Sequence, residues 1–170
     1  MTDKFLPSIE LGQLKEIQSA GDPNAYYDLL CQPLHAELYR RQDFAFFDEL
    51  NDMQQMLICY DYIQNNVLQG GFIQLIQNGY VNMLLPMPEW LGTIGDKHMA
   101  QLLAEALKAY VDHKDILDKE TTVEEFAALY NKLPVFHALD NQFQTLHPQT
   151  INHILAYATI HIHEFANIAG

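Results

Sequence analysis

The sequence predicts an all-α fold, as a single compact domain of about seven to nine helices with short connections over residues 1–170. Apolar residues recur at three- and four-residue steps through most of the chain, which is the spacing of one buried helix face. No alternating pattern typical of a strand runs for more than a few residues. Hydrophobic residues make up 49% and charged residues 18% of the sequence, a balance typical of a globular domain rather than of a disordered chain.

The first third of the chain carries the signals of short helices. We expect the first helix to open at Pro7 and to end at Gly21. Asp22 and Pro23 then have the residue types of an N-cap and of a first helical position, so a second helix is expected to begin there. Pro33 predicts a fresh helix start, because proline lacks the N–H group that a helix interior needs.

A long helical pattern follows from residue 43 to residue 69, and two glycines end it. Glycine weakens a helix interior by about 1 kcal/mol and reaches backbone angles that are closed to other residues, so Gly70-Gly71 predicts a corner. The apolar spacing resumes after this corner. Asn78-Gly79 then predicts the C-terminal cap of a short helix.

The start of the long pattern carries four acids: Asp43, Asp48, Glu49 and Asp52. On one continuous helix Asp48 and Asp52 would lie one turn from each other, where like charges destabilise the helix slightly. A chain that keeps both acids either uses them or exposes them to water. Just before them, Arg40-Arg41 is the only adjacent basic pair in the sequence, and we interpret it as a helix end-cap or an intramolecular salt bridge.

Residues 81–95 are the irregular part of the chain, because prolines and glycines punctuate an apolar string there. Apolar residues in such a segment either pack under the domain or form an exposed patch. We expect four of them to lie on the core, namely Met83, Leu84, Leu85 and Trp90. A homodimer contact through this segment stays open as the alternative.

The second half of the chain continues with capped helices. Asp96 is expected to cap a helix over residues 97–112, and Thr122 opens a capping-box pattern. Pro134 and Pro148 predict the starts of the last two helices. No linker, tandem repeat or low-complexity segment separates these elements.

The densest acidic segment runs from residue 112 to residue 125, with six acids against two lysines. Glu124 and Glu125 lie in the first turn of a predicted helix, where the helix dipole favours negative charge, so capping explains them. Capping does not explain the acids before them. The second candidate acidic surface therefore consists of Asp112, Asp115, Asp118 and Glu120.

The sequence contains no local signature of catalysis or of a bound cofactor. Ser8 and Ser19 are the only serines, and neither lies in a Gly-x-Ser-x-Gly elbow. No P-loop and no glycine-rich dinucleotide turn occurs. Cys31 and Cys59 have no CxxC neighbour, so we expect buried thiols in a reducing compartment and place the protein in the cytoplasm. We expect a protein that is not an enzyme and that holds neither cofactor nor metal.

The histidines near the C-terminus suggest an alternative. On a C-terminal helix His153, His161 and Glu164 would project within one face, with His161 and Glu164 one turn apart. His153 and His161 are two turns apart, which is too far to share one ion without another helix. We interpret them as polar or hydrogen-bonded side chains, and a metal-dependent enzyme is kept as an alternative function.

The run that follows residue 68 resembles a known signature. Its motif residues are Gly70, Gly71, Phe72, Gln74, Asn78 and Gly79. This string is similar to the Asn-Gly-Gly-Phe-type motif of the bacterial DNA-mimic protein family, whose members are small, acidic and mostly helical. Gln69 stands where the family usually has asparagine.

The resemblance implies a protein that occupies the DNA-binding face of a bacterial DNA-binding protein, such as a helix-turn-helix regulator or a nucleoid protein, and competes with DNA. The motif would fix the fold, and the two candidate acidic surfaces would contact the partner. The formal net charge of -13 agrees with this expectation, because it repels nucleic acid and anionic membranes and attracts basic partners. Plain solubility is the simpler explanation of the acidity, and an immunity or antitoxin protein against a basic toxin enzyme is the alternative function.

Overall fold

The computed structural model describes residues 4–119 and 122–170 and confirms the all-α class. The α-helices are α1 Leu11–Ala20, α2 Pro23–Arg41, α3 Asp52–Gln77, α4 Met87–Thr93, α5 Lys97–Asp112, α6 Lys114–Leu117, α7 Val123–Lys132 and α8 Pro134–Ile160. Short 3-10 helical segments cover Phe44–Glu49, Val81–Leu84 and Ile162–Glu164. A kink divides α3, so these described ranges contain nine α-helical segments, within the predicted number. None of the helices in them is both long and apolar enough to span a membrane.

Contacts within the chain sort it into two compact units. Unit 1 combines the chain up to Ile58 with Ile151–Gly170, and unit 2 is Cys59–Thr150. The chain passes from one unit to the other inside α3 and returns inside α8. The prediction of one domain over residues 1–170 stays a prediction.

Unit 1 contains a small parallel sheet of two strands, β1 (Ser8–Glu10) and β2 (Asn167–Ala169), with Ile9 opposite Ile168. The prediction that the first helix opens at Pro7 is therefore wrong, because the chain is a strand there and α1 begins only after it. The pairing partner lies at the other end of the chain. A local sequence pattern does not reveal such a pairing.

Most of the predicted helix ends are confirmed. Gly21 ends α1 in the left-handed conformation, with a φ of 71°. Asp22, Asp96 and Thr122 each accept a backbone N–H group from the first turn of the following helix, at 3.0, 3.1 and 3.2 Å. Helix α8 begins at Pro134 as predicted. Local capping signals in the sequence are sufficient to place these ends.

Two predicted helix starts are wrong, because Pro33 lies inside α2 and Pro148 lies inside α8. A proline in a helix interior costs about 3 kcal/mol or more, since it removes one hydrogen bond and crowds the preceding turn. Both helices nevertheless continue, because apolar residues on each side of the proline are buried. In α2, for example, Leu30 and Leu34 are each 1% exposed, and this packing offsets the lost bond.

The predicted continuous helix from residue 43 to residue 69 is also wrong. The residue before Asn51 is extended, with a ψ of 145°, and separates a 3-10 segment from α3. Helix α3 begins with a reciprocal capping box, in which the Asn51 side chain accepts the Gln54 N–H at 2.9 Å and the Gln54 side chain accepts the Asn51 N–H at 3.0 Å. Asp48 and Asp52 therefore do not lie one turn apart on a single helix.

Large aromatic side chains form the core of unit 2. Tyr60 and Phe72 come from the two segments of α3, Phe143 comes from α8, and all three are 0% exposed. The Phe143 ring is edge-on to Phe72, with 5.8 Å between centroids, and stacks on Tyr60 with 6.2 Å between centroids. Helix α8 thus packs against α3 on both sides of the kink.

Residues 81–95 pack only in part as predicted. Leu84 is 0% exposed, but Leu85 is 61% exposed, so its expected place on the core is wrong. Met83 and Trp90 are half-buried. Successive residues of a helical turn face different directions, which explains why Leu84 and its neighbour do not both reach the core.

Candidate protein-binding surface and glycine motif

The glycine motif lies at the kink of α3. Gly71 has a φ of 79° and a ψ of 179°, a conformation that L-residues with a side chain rarely adopt. A Cβ atom added to Gly71 would lie 2.3 Å from Oδ2 of Asp140 in α8. Glycine is therefore required here twice, by the backbone angles and by the close approach of the carboxylate.

Asp140 holds the corner from the side of α8. Its Oδ1 accepts the N–H of Phe72, the first donor after the kink, at 2.9 Å. Asp140 is 5% exposed, and this burial raises the pKa of its carboxyl group, while the Phe72 hydrogen bond opposes the rise. The carboxylate acts as an N-cap for the second segment of α3, supplied from a distant helix.

Two amide side chains of the motif form hydrogen bonds within α3. Gln74 Nε2 donates to Gln69 Oε1 at 2.9 Å, next to the kink. Asn78 Nδ2 donates to Asn66 Oδ1 at 2.7 Å. Asn66 belongs to the segment before the kink and is 8% exposed, so its bond ties the end of the second segment back to the first.

Gly79 ends the second segment with a φ of 85°. The Gly79 N–H donates to the Ile76 carbonyl at 3.0 Å, and the Tyr80 N–H donates to the Leu75 carbonyl at 3.1 Å. This pair of bonds is a Schellman motif, which satisfies carbonyl groups at a helix end. The predicted corner at the two glycines and the predicted C-terminal cap are both confirmed.

The first candidate acidic group, which consists of Asp43, Asp48, Glu49 and Asp52, lies in unit 1. The side chains of two of these residues already form bonds within the fold. Asp43 accepts a backbone N–H at 2.9 Å as the cap of a 3-10 segment. Glu49 forms an ion pair with Arg41. Asp48 and Asp52 are exposed, and the described residues supply no ion-pair partner for either.

Arg40 and Arg41 form a charge network with this group. Both arginines bond to Glu37, and Arg41 also reaches Glu49. Hydrogen bonds from Arg40 and Arg41 lower the pKa of Glu37 to about 2. The Arg41 guanidinium lies 4.8 Å from the ring centroid of Phe46. The interpretation of the basic pair as an intramolecular salt bridge is confirmed, and it leaves Glu49 neutralised within the fold.

The second candidate acidic group lies in unit 2. Asp112 is the last residue of α5, Asp115 lies in the first turn of α6, and both are exposed. In the described part of the chain, no hydrogen bond or ion pair engages either side chain. Asp118 is also exposed and accepts the Tyr110 hydroxyl at 2.6 Å. Glu120 lies outside the described residues.

Sequence reasoning missed Asp140, although a signal was present. Asp140 lies four residues after Phe136 and three before Phe143, and both aromatic rings are 0% exposed. This spacing places the carboxylate on the buried face of α8. A buried acid requires a hydrogen-bond donor. The donor lies 68 residues away at Phe72, and the sequence does not show that contact.

The C-terminal histidines do not share one helix face as predicted. Helix α8 ends at Ile160, so His161 and Glu164 do not extend the helix face of His153. Glu164 accepts the Tyr157 hydroxyl at 2.8 Å and lies 3.4 Å from His161 Nδ1. Across residues 4–119 and 122–170, the ligand atoms of His153, His161 and Glu164 do not converge on one point. Two of these side chains are hydrogen-bonding groups of the helix end.

A comparison with protein families matches residues 48–162 to the DMP19-like protein family. The matched range contains the glycine motif, Asp140 and the second acidic group. It begins at Asp48 and so excludes Asp43 of the first group. A search of curated proteins found no match to the sequence.

Proposed function

Because the chain belongs to the DMP19-like family of DNA-mimic proteins, we propose that it binds the DNA-binding surface of a basic DNA-binding protein and competes there with DNA. The partner is a bacterial transcription regulator, such as a helix-turn-helix protein, or a nucleoid protein. In this role the chain acts in the cytoplasm as an inhibitor without enzymatic activity. Its net charge of -13 keeps it away from nucleic acid and anionic membranes.

The observation that carries the proposal is the state of Asp112 and Asp115. Both carboxylates are exposed, and neither bonds to another described residue. Glu49 of the first group differs, because Arg41 neutralises its charge within the fold. The junction of α5 and α6 therefore presents negative charge that no described residue neutralises, and a basic partner supplies the counter-charge.

The physical basis of mimicry is the way in which DNA-binding proteins obtain their affinity. Contacts from lysine and arginine to phosphates supply much of it, whatever the DNA sequence. Carboxylates on helices offer comparable negative points, and neighbours one helical turn apart are separated by about 5–6 Å. Helices are stiff, so these charges lose little conformational entropy on binding. Competition with DNA follows because both ligands need the same basic side chains.

The test is a capture experiment with the full chain as bait in a nuclease-treated lysate of its source cell. We expect a DNA-binding protein to be retained, to elute in a salt gradient, and to be displaced by added duplex DNA. Mass spectrometry identifies it. Steep salt dependence is expected because the contacts are between exposed charges, which ions screen.

The same experiment contains the outcomes that contradict the proposal. A retained protein that resists both salt and duplex DNA contradicts mimicry and supports the immunity or antitoxin function. A lysate that yields no partner leaves solubility as the explanation of the acidity. A matched bait, the Asp112→Lys/Asp115→Lys variant, reports whether retention depends on the second acidic group.

A further inference from the structure

A cavity of about 450 Å³ lies in unit 2 beside the glycine corner. The two α3 segments contribute Gly70 and Gly71 to its wall, α8 contributes Asp140, and α7 contributes Tyr130. This volume lies within the range of about 300–1,000 Å³ that is typical of ligand sites. The motif therefore borders a space that neither the corner nor the exposed acids require.

One oxygen of Asp140 lacks a close donor in the fold. Its Oδ1 accepts the Phe72 N–H, whereas the buried Oδ2 has no donor at hydrogen-bonding distance among the described residues, and the Tyr130 hydroxyl is near enough only to lower the pKa of the carboxyl group. A buried acceptor without a donor destabilises the folded state, and more so when the group is charged. Such an atom in the wall of a cavity indicates that a donor from outside the chain completes the site.

The other wall residues favour one kind of donor. Among the described residues that line the cavity, Asp140 is the only carboxylate, and none is a lysine or an arginine. Leu68 and Ala127 provide apolar surface for an aliphatic stem, and Phe126 and Tyr130 provide aromatic rings. A guanidinium group matches this set, because it carries up to five N–H donors in a plane and packs on aromatic rings.

We propose that this cavity receives an arginine side chain of the partner protein, with the guanidinium group beside Asp140. The proposal rests on the function proposed above, because it assumes a basic partner. It adds a specific contact to a surface that otherwise recognises charge in general. Exposed carboxylates attract basic proteins in general, and a cavity that holds a single arginine adds discrimination by geometry.

The binding of a cation also agrees with the electrostatics of Asp140. Burial raises the pKa of its carboxyl group, which means that the fold disfavours the charged form. A guanidinium group at Oδ2 would stabilise that charged form and satisfy the open acceptor at the same time. The partner's arginine would in turn lose less on desolvation, because its charge is compensated.

The first test uses arginine amide as the probe and needs no partner. Nuclear magnetic resonance titration of the full chain is expected to show saturable shifts at the amides of Tyr130 and Gln144, which line the cavity. Citrulline amide is the control, because it has the same shape without the charge. Asp140→Asn keeps an acceptor for the Phe72 N–H and is expected to weaken arginine amide binding about tenfold or more. Asp28→Asn removes the same charge from an exposed position of α2, outside both acidic groups, and should leave the binding unchanged.

A second variant keeps the cavity site testable if Asp140→Asn fails to fold. Ala127 is exposed on α7 and lines the cavity, so Ala127→Trp is expected to fill the space without touching the core. It should abolish the arginine amide shifts even if Asp140→Asn fails to fold. Equal binding of citrulline amide, or shifts that centre on the acidic segment, would overturn the cavity site.

The partner as the source of the arginine is tested in the captured complex. Ala127→Trp should weaken retention of the partner by about tenfold, as the loss of one buried charged contact does. If this variant no longer binds arginine amide but retains the partner fully, the partner does not supply the arginine and the proposal is wrong. A lysate without any partner refutes the proposed function instead, and the amide titration is unaffected by that result.

Discussion

Aspartates have opposite surroundings in two regions of unit 2. At the glycine motif, Asp140 is 5% exposed and accepts the Phe72 N–H. In the acidic segment, Asp112 and Asp115 are exposed and have no bond to another described residue. One region uses a carboxylate to hold a backbone corner, and the other leaves its carboxylates to solvent.

The difference shows that acidity in the composition has more than one origin. The fold uses the Asp140 carboxyl group as a hydrogen-bond acceptor for Phe72, and it uses the charge of Glu49 in an ion pair with Arg41 in unit 1. Acidic side chains that are bonded within the fold are not available to a partner, whereas the exposed and unpaired ones are. The two regions should therefore respond differently to substitution, one through stability and the other through binding.

Gly71→Ala should have the largest effect, and it should act on stability. Alanine at this position must adopt a φ of 79°, which is strained for a residue with a side chain. Its Cβ atom would lie 2.3 Å from Asp140 Oδ2, so the carboxylate must move. We expect a loss of roughly 2–5 kcal/mol in the free energy of unfolding, from backbone strain and from the broken Phe72 bond. Urea denaturation followed by circular dichroism measures it.

Gly70→Ala is the matched control for that substitution. A Cβ atom at Gly70 meets the amide end of the Gln74 side chain, which can rotate away with loss of its bond to Gln69, and lies 3.0 Å from Gln74 Cβ. Alanine is also the better helix former by about 1 kcal/mol. A change within about 1 kcal/mol is therefore expected. Equal losses for both alanine variants would mean that Asp140 does not define the corner.

Reversal of the exposed acids should act on binding and leave stability almost unchanged. We expect Asp112→Lys/Asp115→Lys to weaken the complex at least about tenfold, because like charges placed against a basic surface cost several kcal/mol. The salt dependence of binding should also become shallower. Isothermal titration calorimetry at two salt concentrations measures both effects once the partner is known.

The control for this reversal is Asp48→Lys/Asp52→Lys, which changes the net charge by the same amount in unit 1. Its effect on binding should be smaller, since Asp52 lies in the first turn of α3, where the helix dipole partly compensates its negative charge. A larger loss for the unit 1 variant would place the binding surface on the first acidic group. Similar losses would show that only the net charge matters.

The parts of the fold that were predicted depend on neighbouring residues alone. Asp22, Asp96 and Thr122 cap helices through bonds within one turn, and Gly79 ends α3 in the same local way. The error at Pro33 has a tertiary cause, because burial of the surrounding apolar residues keeps the helix intact. The two strands were also missed for a tertiary reason, because each pairs with a segment at the other end of the chain.

The candidate site was predicted unevenly. The exposed acids follow from composition and from the limits of capping, so Asp112 and Asp115 could be proposed from the sequence. The role of Asp140 depends on a contact with Phe72 from another helix. The separation of Asp48 from Asp52 by an extended residue was readable in principle, since Asn51 and Gln54 have the spacing of a capping box.

The smallest expected effect is a pH dependence of stability that arises from Asp140. Burial raises the pKa of its carboxyl group above the ordinary value of 3.8, so its contribution to stability is fully present below that value and is lost as pH rises through the folded-state pKa. Asp140→Asn has no such titration. We therefore expect the stability of the native chain, relative to the Asp140→Asn variant, to fall as pH rises from 3.8. Urea unfolding of both proteins across this range measures the difference, in which the opposite contribution of Glu37 cancels. Parallel pH profiles for the native chain and Asp140→Asn would show that burial does not raise the pKa of the Asp140 carboxyl group.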